Sequence, residues 1–498
     1  MLEMLVHELL LQKIERNAET PLARQVYEAF SALILDGDLP AGTKLPASRA
    51  LARETLLSRN TIIAAYEQLQ AEGYVVAVTG SGTFVSDTVP VMSASKKDDT
   101  DDSLQPSIDE TLLLSRRGIE LLHHAQASKQ QWGAFVPGVP DLRLFPNKTW
   151  MRLQRRYWQK PMPDLMTYAH GSGYLPLRQA LADHLRIARS VRCEAEQVII
   201  TSGIHQSLSV IAKLLGDIDS TAWMENPGYW GASTVLRAAG IRLVPVDVDE
   251  EGLSPDAGQM QKPPQFIFVT PSHQYPLGTL MSLGRRRMLL EYAHQRGAWI
   301  IEDDYDSEFR FGGRPIASLQ GLDSYDRVIY LGTFSKTLFP GIRLGYIVVP
   351  KKLASLLSLG MSELYREGRL IDQAVLADFI SEGHYSSHVR KMKAVYARRQ
   401  TLLRNAICSH YGTAWPMSSQ EAGLHLVMHL PQGVSDVAIT AAAQKRGIWV
   451  RPLSNYYSGT KRLPGLLFGY ATVNEEDIEP AFKQLAKLID AELEHSNL

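Results

Sequence analysis

The stretch Gly332–Tyr346, GTFSKTLFPGIRLGY, decides how this chain is read. Lys336 follows a small hydroxyl residue, and Arg343 stands seven positions on, beyond a Pro-Gly pair. Surface lysines rarely keep such a spacing with anything. A lysine held by its neighbours can act as a nucleophile and form a Schiff base with a carbonyl compound. Pyridoxal phosphate exploits that bond, and it needs three more things: a cradle for its phosphate, an acid on its ring nitrogen and a flat group on its ring face.

Each has a candidate elsewhere in the chain. For the phosphate there are the guanidinium of Arg343, which forks onto two oxygens, the hydroxyls of Thr333 and Ser335, and the segment TSGIHQSL, where the strand QVIIT (197–201) meets Gly203 and a helix begins. The free backbone N–H groups there, at Gly203, Ile204 and His205, point at an anion. For the ring nitrogen, AWIIEDDYDSEF offers Asp303 at the end of a buried strand, with Tyr305 donating to the ring hydroxyl. For the ring face, ENPGYW offers Tyr229 after a Pro-Gly turn. Taken singly, each has a plainer reading: a solvated lysine, an ordinary strand-to-helix turn, a helix cap, a core tyrosine. The ordered set is harder to dismiss.

Further out, short β-branched runs alternate with helical patterns: QVIIT, PQFIFVT (264–270), AWIIEDD (298–304) and RVIYLG (327–332). That alternation predicts a large α/β unit with a mainly parallel sheet. A length of 498 residues exceeds one ordinary domain. The division falls at DTVPVMSASKKDDTDDSLQPS, a polar, acidic stretch too poor in apolar residues to fold alone. The expected organisation is a small unit over 20–86, a linker over 87–130 and the large unit over 131–498.

Composition excludes several classes. Hydrophobic residues make up 45% of the chain and charged ones 21%, with a net charge of -1, the balance of a globular protein with a large core. Two cysteines support neither a disulfide framework nor a cysteine metal site, and no metal is expected. No apolar run reaches the roughly 18 residues of a membrane helix, and the first residues, MLEMLVHELLLQ, carry acids where a signal peptide carries its basic region. The expected location is the cytoplasm.

In the small unit, Val26, Phe30, Leu33 and Ile34 fall at helical spacing ahead of Gly37. After LPAGTKLP come a short helix capped by Ser48 and a third capped by Ser58, whose stripe of Ile62, Tyr66 and Leu69 leaves Arg59, Asn60 and Thr61 exposed at its first turn. VVAV, TGSG and TFV read as a hairpin. A helix-turn-helix followed by a hairpin is a winged DNA-binding domain. Residues 21–88 hold five Lys/Arg against seven Asp/Glu, yet Lys44, Arg49, Arg53 and Arg59 lie within sixteen positions, on the two elements that would touch a duplex.

KLPASRALA, LSRNTIIAAYEQLQAEGY and GSGTFV resemble the winged helix of GntR-type regulators, and the resemblance implies DNA contacts from Arg49, Arg59, Asn60, Thr61 and the wing residue Gly82. FVPGVPDLRLFP, YAHGSGYLPLR, ITSGIHQSL, ENPGY, TPSHQYPLG, EDDYDSEF and GTFSKTLFPGIRLGY resemble, in order, the motifs of fold-type I aminotransferases. Joined, the two are the architecture of MocR/GabR-type regulators. By that resemblance Lys336 carries the pyridoxal phosphate and Arg343 holds its phosphate, while Tyr168 reaches the phosphate of the other subunit in a homodimer. Where the enzymes carry an asparagine on the ring hydroxyl, this chain has Tyr275, and where they carry the arginine that grips a substrate carboxylate it has Leu467. Gly231 stands where regulators that sense γ-aminobutyrate carry a second arginine, and Arg451, in WVRPLSNYY, is left as a substitute anchor.

The function this implies is a transcription regulator that binds operator DNA and senses vitamin B6, an amine or an amino acid through its large domain, with at most residual transaminase activity. Loss of both arginines favours vitamin B6 status over γ-aminobutyrate. The alternatives are a genuine aminotransferase carrying a DNA-binding domain and a large domain serving only as a dimerisation scaffold. The intact Lys336, Asp303 and Arg343 set speaks against the scaffold.

Overall fold

A computed structural model of the chain describes residues 14–16, 18, 20–87, 113–123, 132–160, 162–169, 171–312, 316–366, 368–418 and 422–496. The chain divides into two compact units, 1–107 and 108–498. Most of the expected linker, 88–112 and 124–130, lies outside the described residues. Within that expected linker, Arg116–His123 forms a helix.

In the small unit, α1 (Leu22–Leu35) buries the predicted stripe of Val26, Phe30, Leu33 and Ile34. Gly37, at φ 84°, turns the chain away just past its end. Helix α2 (Ser48–Thr55) and helix α3 (Arg59–Ala71) follow. Ser58 caps α3 as expected, accepting from the Thr61 N–H at 3.1 Å. Ser48 does not cap α2. Ala47 already holds the extended conformation of a cap, and Ser48 lies inside the first turn with no side-chain bond made at that end. Strands β1 (Val75–Val78) and β2 (Gly82–Val85) form the antiparallel hairpin. Val26, Phe30, Leu51, Ile62, Leu69 and Val75 make one closed core, and each large apolar side chain so buried contributes about 1.5–3 kcal/mol.

In the large unit an eight-stranded sheet runs in the order β3-β10-β9-β8-β7-β4-β5-β6. Its strands are β3 (Val198–Thr201), β4 (Thr221–Asn226), β5 (Arg242–Asp249), β6 (Gly252–Leu253), β7 (Phe266–Val269), β8 (Trp299–Asp304), β9 (Val328–Thr333) and β10 (Gly345–Val348). From β9 to β5 the pairing is parallel. Every residue of β3, β7 and β10 is buried, as a strand covered on both faces requires, which is why these runs lack a polar alternation. Strand β10 is inserted antiparallel between β3 and β9, with Gly345 opposite both Thr201 and Thr333. That register brings the C-terminal ends of β3, β9 and β8 to one edge. A second, antiparallel sheet of β11 (His425–His429), β13 (Gly465–Gly469) and β12 (Arg451–Pro452), in that order, packs Leu426 and Phe468 against Leu403 and Phe482 of two long helices.

Candidate functional site

The predicted DNA-reading residues all lie on the surface of the small unit. Arg59 and Asn60 open α3 and are exposed, and Thr61 beside them is held by a 2.8 Å hydroxyl contact to Ser58. Arg49 and Arg53 are exposed on α2. Lys44 pairs with the hairpin at Phe84 and lies over that ring at 5.8 Å. A Cβ on Gly82, whose φ is 127°, would come within 2.8 Å of the Lys44 side chain, so the wing glycine and Lys44 adjoin. Among the described residues none of these cations is in an ion pair, which leaves their charge available to phosphates.

In the large unit the turn Pro340–Ile342 throws Arg343 into the left-handed region at φ 49°, a conformation that costs a residue with a Cβ about 1–2 kcal/mol. It carries the guanidinium across to the start of helix Ile204–Leu215, where Nη1 would lie 4.0 Å from a Cβ on Gly203. Gly203 itself sits at φ 108° ahead of that helix, so glycine is what lets the backbone amides of Ile204 and His205 face outward. Thr333, at the end of β9, accepts from the Ser335 N–H at 3.2 Å. The pieces assigned to a phosphate thus meet at the sheet edge.

Lys336 is part-buried and donates through Nζ to the Gly138 carbonyl at 2.6 Å. Burial lowers its basicity, while Asp306 and Asp303 oppose that and Arg451 adds to it. Burial, then the neighbouring Asp304, pushes the Asp303 carboxyl up to about 8, against the pull of Lys336. Among the described residues this carboxylate makes no hydrogen bond, so a protonated ring nitrogen would supply the donor it lacks. With the Gly203–Arg343 cradle, that open acceptor beside a nucleophilic lysine fits pyridoxal phosphate.

Tyr229 has its hydroxyl 3.2 Å from His205 Nε2 and its ring edge-on to Tyr275 at 5.9 Å. The Tyr305 hydroxyl has a protein partner, donating to the His273 carbonyl at 2.9 Å. Tyr168 is 72% exposed, under the Arg366 guanidinium at 5.7 Å, and among the described residues no hydrogen bond or ring contact ties it to the cluster.

The departures from the enzyme pattern have structural counterparts. A Cβ on Gly231 would lie 2.4 Å from the Tyr229 ring and 2.8 Å from His205 Nε2, so any larger side chain displaces Tyr229 or His205. Leu467 is fully buried in a cluster with Val427, Leu453 and Tyr456, and Tyr275 and Trp230 pack against that cluster.

Gly138, His273, Asp306, His425 and Tyr456 also gather here and were not singled out from the sequence. Gly138 receives the lysine. His273 Nδ1 lies 3.1 Å from Asp306, and His425 donates through Nε2 to the Pro276 carbonyl at 3.0 Å, a buried set whose Asp306 and His425 interact electrostatically with Lys336. Three ligand-type atoms of His273, Asp306 and His425 fall within 4.8 Å of one another, with internal hydrogen bonds at each residue. Tyr456 meets the Tyr275 hydroxyl at 3.1 Å. All but His425 lie in stretches quoted above for other residues, but only the fold assembles them.

Comparison with known proteins matches residues 141–485 to aminotransferase class I and II and residues 22–85 to the bacterial regulatory proteins of the gntR family. The chain is 39% identical, over 95% of its length and 94% of the relative's, to MocR of Rhizobium meliloti, described as a probable rhizopine catabolism regulatory protein. It is 31% identical, over 95% of its length and 96% of the relative's, to PdxR of Corynebacterium glutamicum, an HTH-type pyridoxine biosynthesis transcriptional regulator. Among solved structures it resembles LysN, the alpha-aminoadipate aminotransferase of Thermus thermophilus, with a TM-score of 0.68 and 27% identity over 75% of this chain and 97% of that one.

Proposed function

Since this chain belongs to the MocR/GabR-type regulators, a gntR-family DNA-binding region joined to an aminotransferase class I/II domain, we propose that its affinity for operator DNA answers to what occupies the site around Lys336. The observation that carries this reading is the meeting of Lys336, the open Asp303 carboxylate and the Gly203–Arg343 cradle in a chain that also presents exposed, unpaired cations on a winged helix. Pyridoxal phosphate supplies, when bound, a carbonyl for the lysine amine and a ring that withdraws electrons.

The chain's own residues do the rest. Lys336, with its basicity lowered by burial, offers a neutral amine more readily than a solvated lysine. Arg343 and the amides of Ile204 and His205 fix the phosphate end, with Thr333 and Ser335 beside them. Asp303 holds a proton between itself and the ring nitrogen. Tyr229 covers the ring face and excludes water. In the small unit, Arg59, Asn60, Thr61 and Arg49 read the duplex, and Lys44 with the wing at Gly82 steadies it on the backbone.

Tyr168, exposed and carrying a phenol toward solvent, suits a homodimer in which each subunit completes the other's site. Among the described residues no helix is long and apolar enough to cross a membrane, and a regulator working on DNA belongs with it in the cytoplasm. The two named relatives concern different metabolism, so neither name is carried over as the effector.

The test is spectroscopic and binding together. The purified chain should absorb visible light through its cofactor, and its grip on a DNA fragment selected by the chain itself should change when cofactor or an amine is added. A colourless protein that takes up no cofactor would end this reading.

A further inference from the structure

We propose, resting on the reading of a ligand-answering site at Lys336, that Arg451 is the anion anchor of that site and that its ligand is an amine bearing a carboxylate, gripped by Arg451 instead of an arginine at position 467. Strand β12 pairs with β13 so that Arg451 stands directly opposite Leu467. Opposed residues share a face, with their Cβ atoms about 5 Å apart. Around Leu467 that face carries Tyr456, Tyr275 and Trp230. Tyr275 stands edge-on to both Tyr229 and Tyr305, at 5.9 and 5.8 Å, which joins this wall to the residues over the cofactor. The Arg451 charge acts on Lys336, Tyr229 and Tyr275 alike.

What singles out Arg451 is its company. Other arginines withdrawn from water in this chain are committed to protein acceptors: Arg189 holds Asp304 at 2.7 Å with Ile316 and Ser272, Arg399 holds Asp141 at 2.9 Å, and Arg286 donates to three carbonyls. Arg451 lies near the Tyr456 hydroxyl, which with Tyr275 and Tyr229 raises its basicity, and among the described residues no carboxylate pairs with it. A guanidinium held among phenols keeps most of its five donors unspent, in a planar fork that matches a carboxylate. The phosphate is assigned to Gly203 and Arg343, so a second anion at Arg451 belongs to the ligand. Position 467 holds a leucine and the adjoining strand sets Arg451 directly across from it, which moves the preference for vitamin B6 status toward an amino acid.

The experiment uses the full chain loaded with pyridoxal phosphate and matched probes: β-alanine against ethylamine and γ-aminobutyrate against n-propylamine, each pair differing by the carboxylate. Half-saturation is read from the change in cofactor absorption and from the thermal unfolding temperature. The wild-type chain should take the acid of at least one pair at a tenfold or lower concentration than its partner. R451Q should lose that preference to within about twofold, R451K should fall between, and the exchange R451L/L467R should recover it, which loss of folding cannot imitate. Equal response to both members of each pair, or an unchanged preference in R451Q, overturns the anchor while leaving a cofactor-dependent change in DNA affinity intact. A wild-type chain without cofactor absorption overturns both.

Discussion

At the scale of single residues the account rests on Lys336 and Asp303. Lys336→Ala should abolish the visible absorption of lysine-bound cofactor, because no second described lysine shares this cluster; a borohydride-fixed adduct persisting in that variant would place the nucleophile elsewhere. Asp303 makes a prediction about stability. Its folded-state pKa, about 8, lies well above the ordinary carboxylate value of about 4. A raised value means that its contribution to stability is full below about pH 4 and is lost as pH rises through 8. In the chain stripped of cofactor, Asp303→Asn has no charge to bury, so its advantage over the wild type should widen by more than about 1 kcal/mol between pH 5 and 8. Glu225, Glu302 and Glu308, each pushed up to about 7 by burial, contribute the same slope to both proteins. Urea melts across that range decide it, and a gap that ignores pH would contradict the buried placement. The same variant should hold cofactor less tightly, having lost the charge that pairs with the ring nitrogen.

Among the elements, α3 and the start of helix Ile204–Leu215 can be tested separately. Arg59→Ala should weaken binding to the selected DNA by about 1–3 kcal/mol if Arg59 reads a base, and by less if it holds a phosphate, with the cofactor spectrum unchanged; a footprinting titration indistinguishable from wild type would move recognition off this turn. Gly203→Val forces a β-branched residue to φ 108° beside Arg343, at a cost of about 1–3 kcal/mol. Cofactor retention should drop, measured by absorption after dialysis, and unchanged retention would contradict the cradle. These elements were legible because their periodicity is local: the stripe of α1, the Ser58 cap and the buried strands QVIIT and PQFIFVT each declare themselves within a few residues. Pairing between distant segments declares nothing. The antiparallel insertion of β10, the His273–Asp306 contact and the position of Arg451 across from Leu467 arise from register between stretches with no shared pattern, and Ser48 misled because the cap lies one residue earlier.

At the scale of the whole molecule, one chain joins a gntR-family DNA-binding unit to an aminotransferase-like one, and the proposal links DNA affinity to occupancy of the Lys336 site. A ligand shifts DNA affinity only through a difference in its own affinity for two states of the protein, and such couplings are typically about 1–3 kcal/mol, or roughly 5- to 150-fold. With Leu467 buried where an enzyme would orient its substrate, turnover should be slow, since misplacing the reacting bond costs rate as well as binding. The decisive measurement is DNA affinity by fluorescence anisotropy, on the pyridoxal phosphate-loaded full chain and on the stripped chain, with and without a panel of amino acids and amines, and with transamination followed in the same samples. The account predicts that operator affinity shifts about fivefold or more with the occupant of the Lys336 site, while transamination stays far below enzymatic rates. DNA affinity indifferent to every occupant, together with kcat/KM near 10⁴ M⁻¹s⁻¹ or above, the lower end of ordinary enzymes, would contradict it and make the chain an aminotransferase that carries a DNA-binding region.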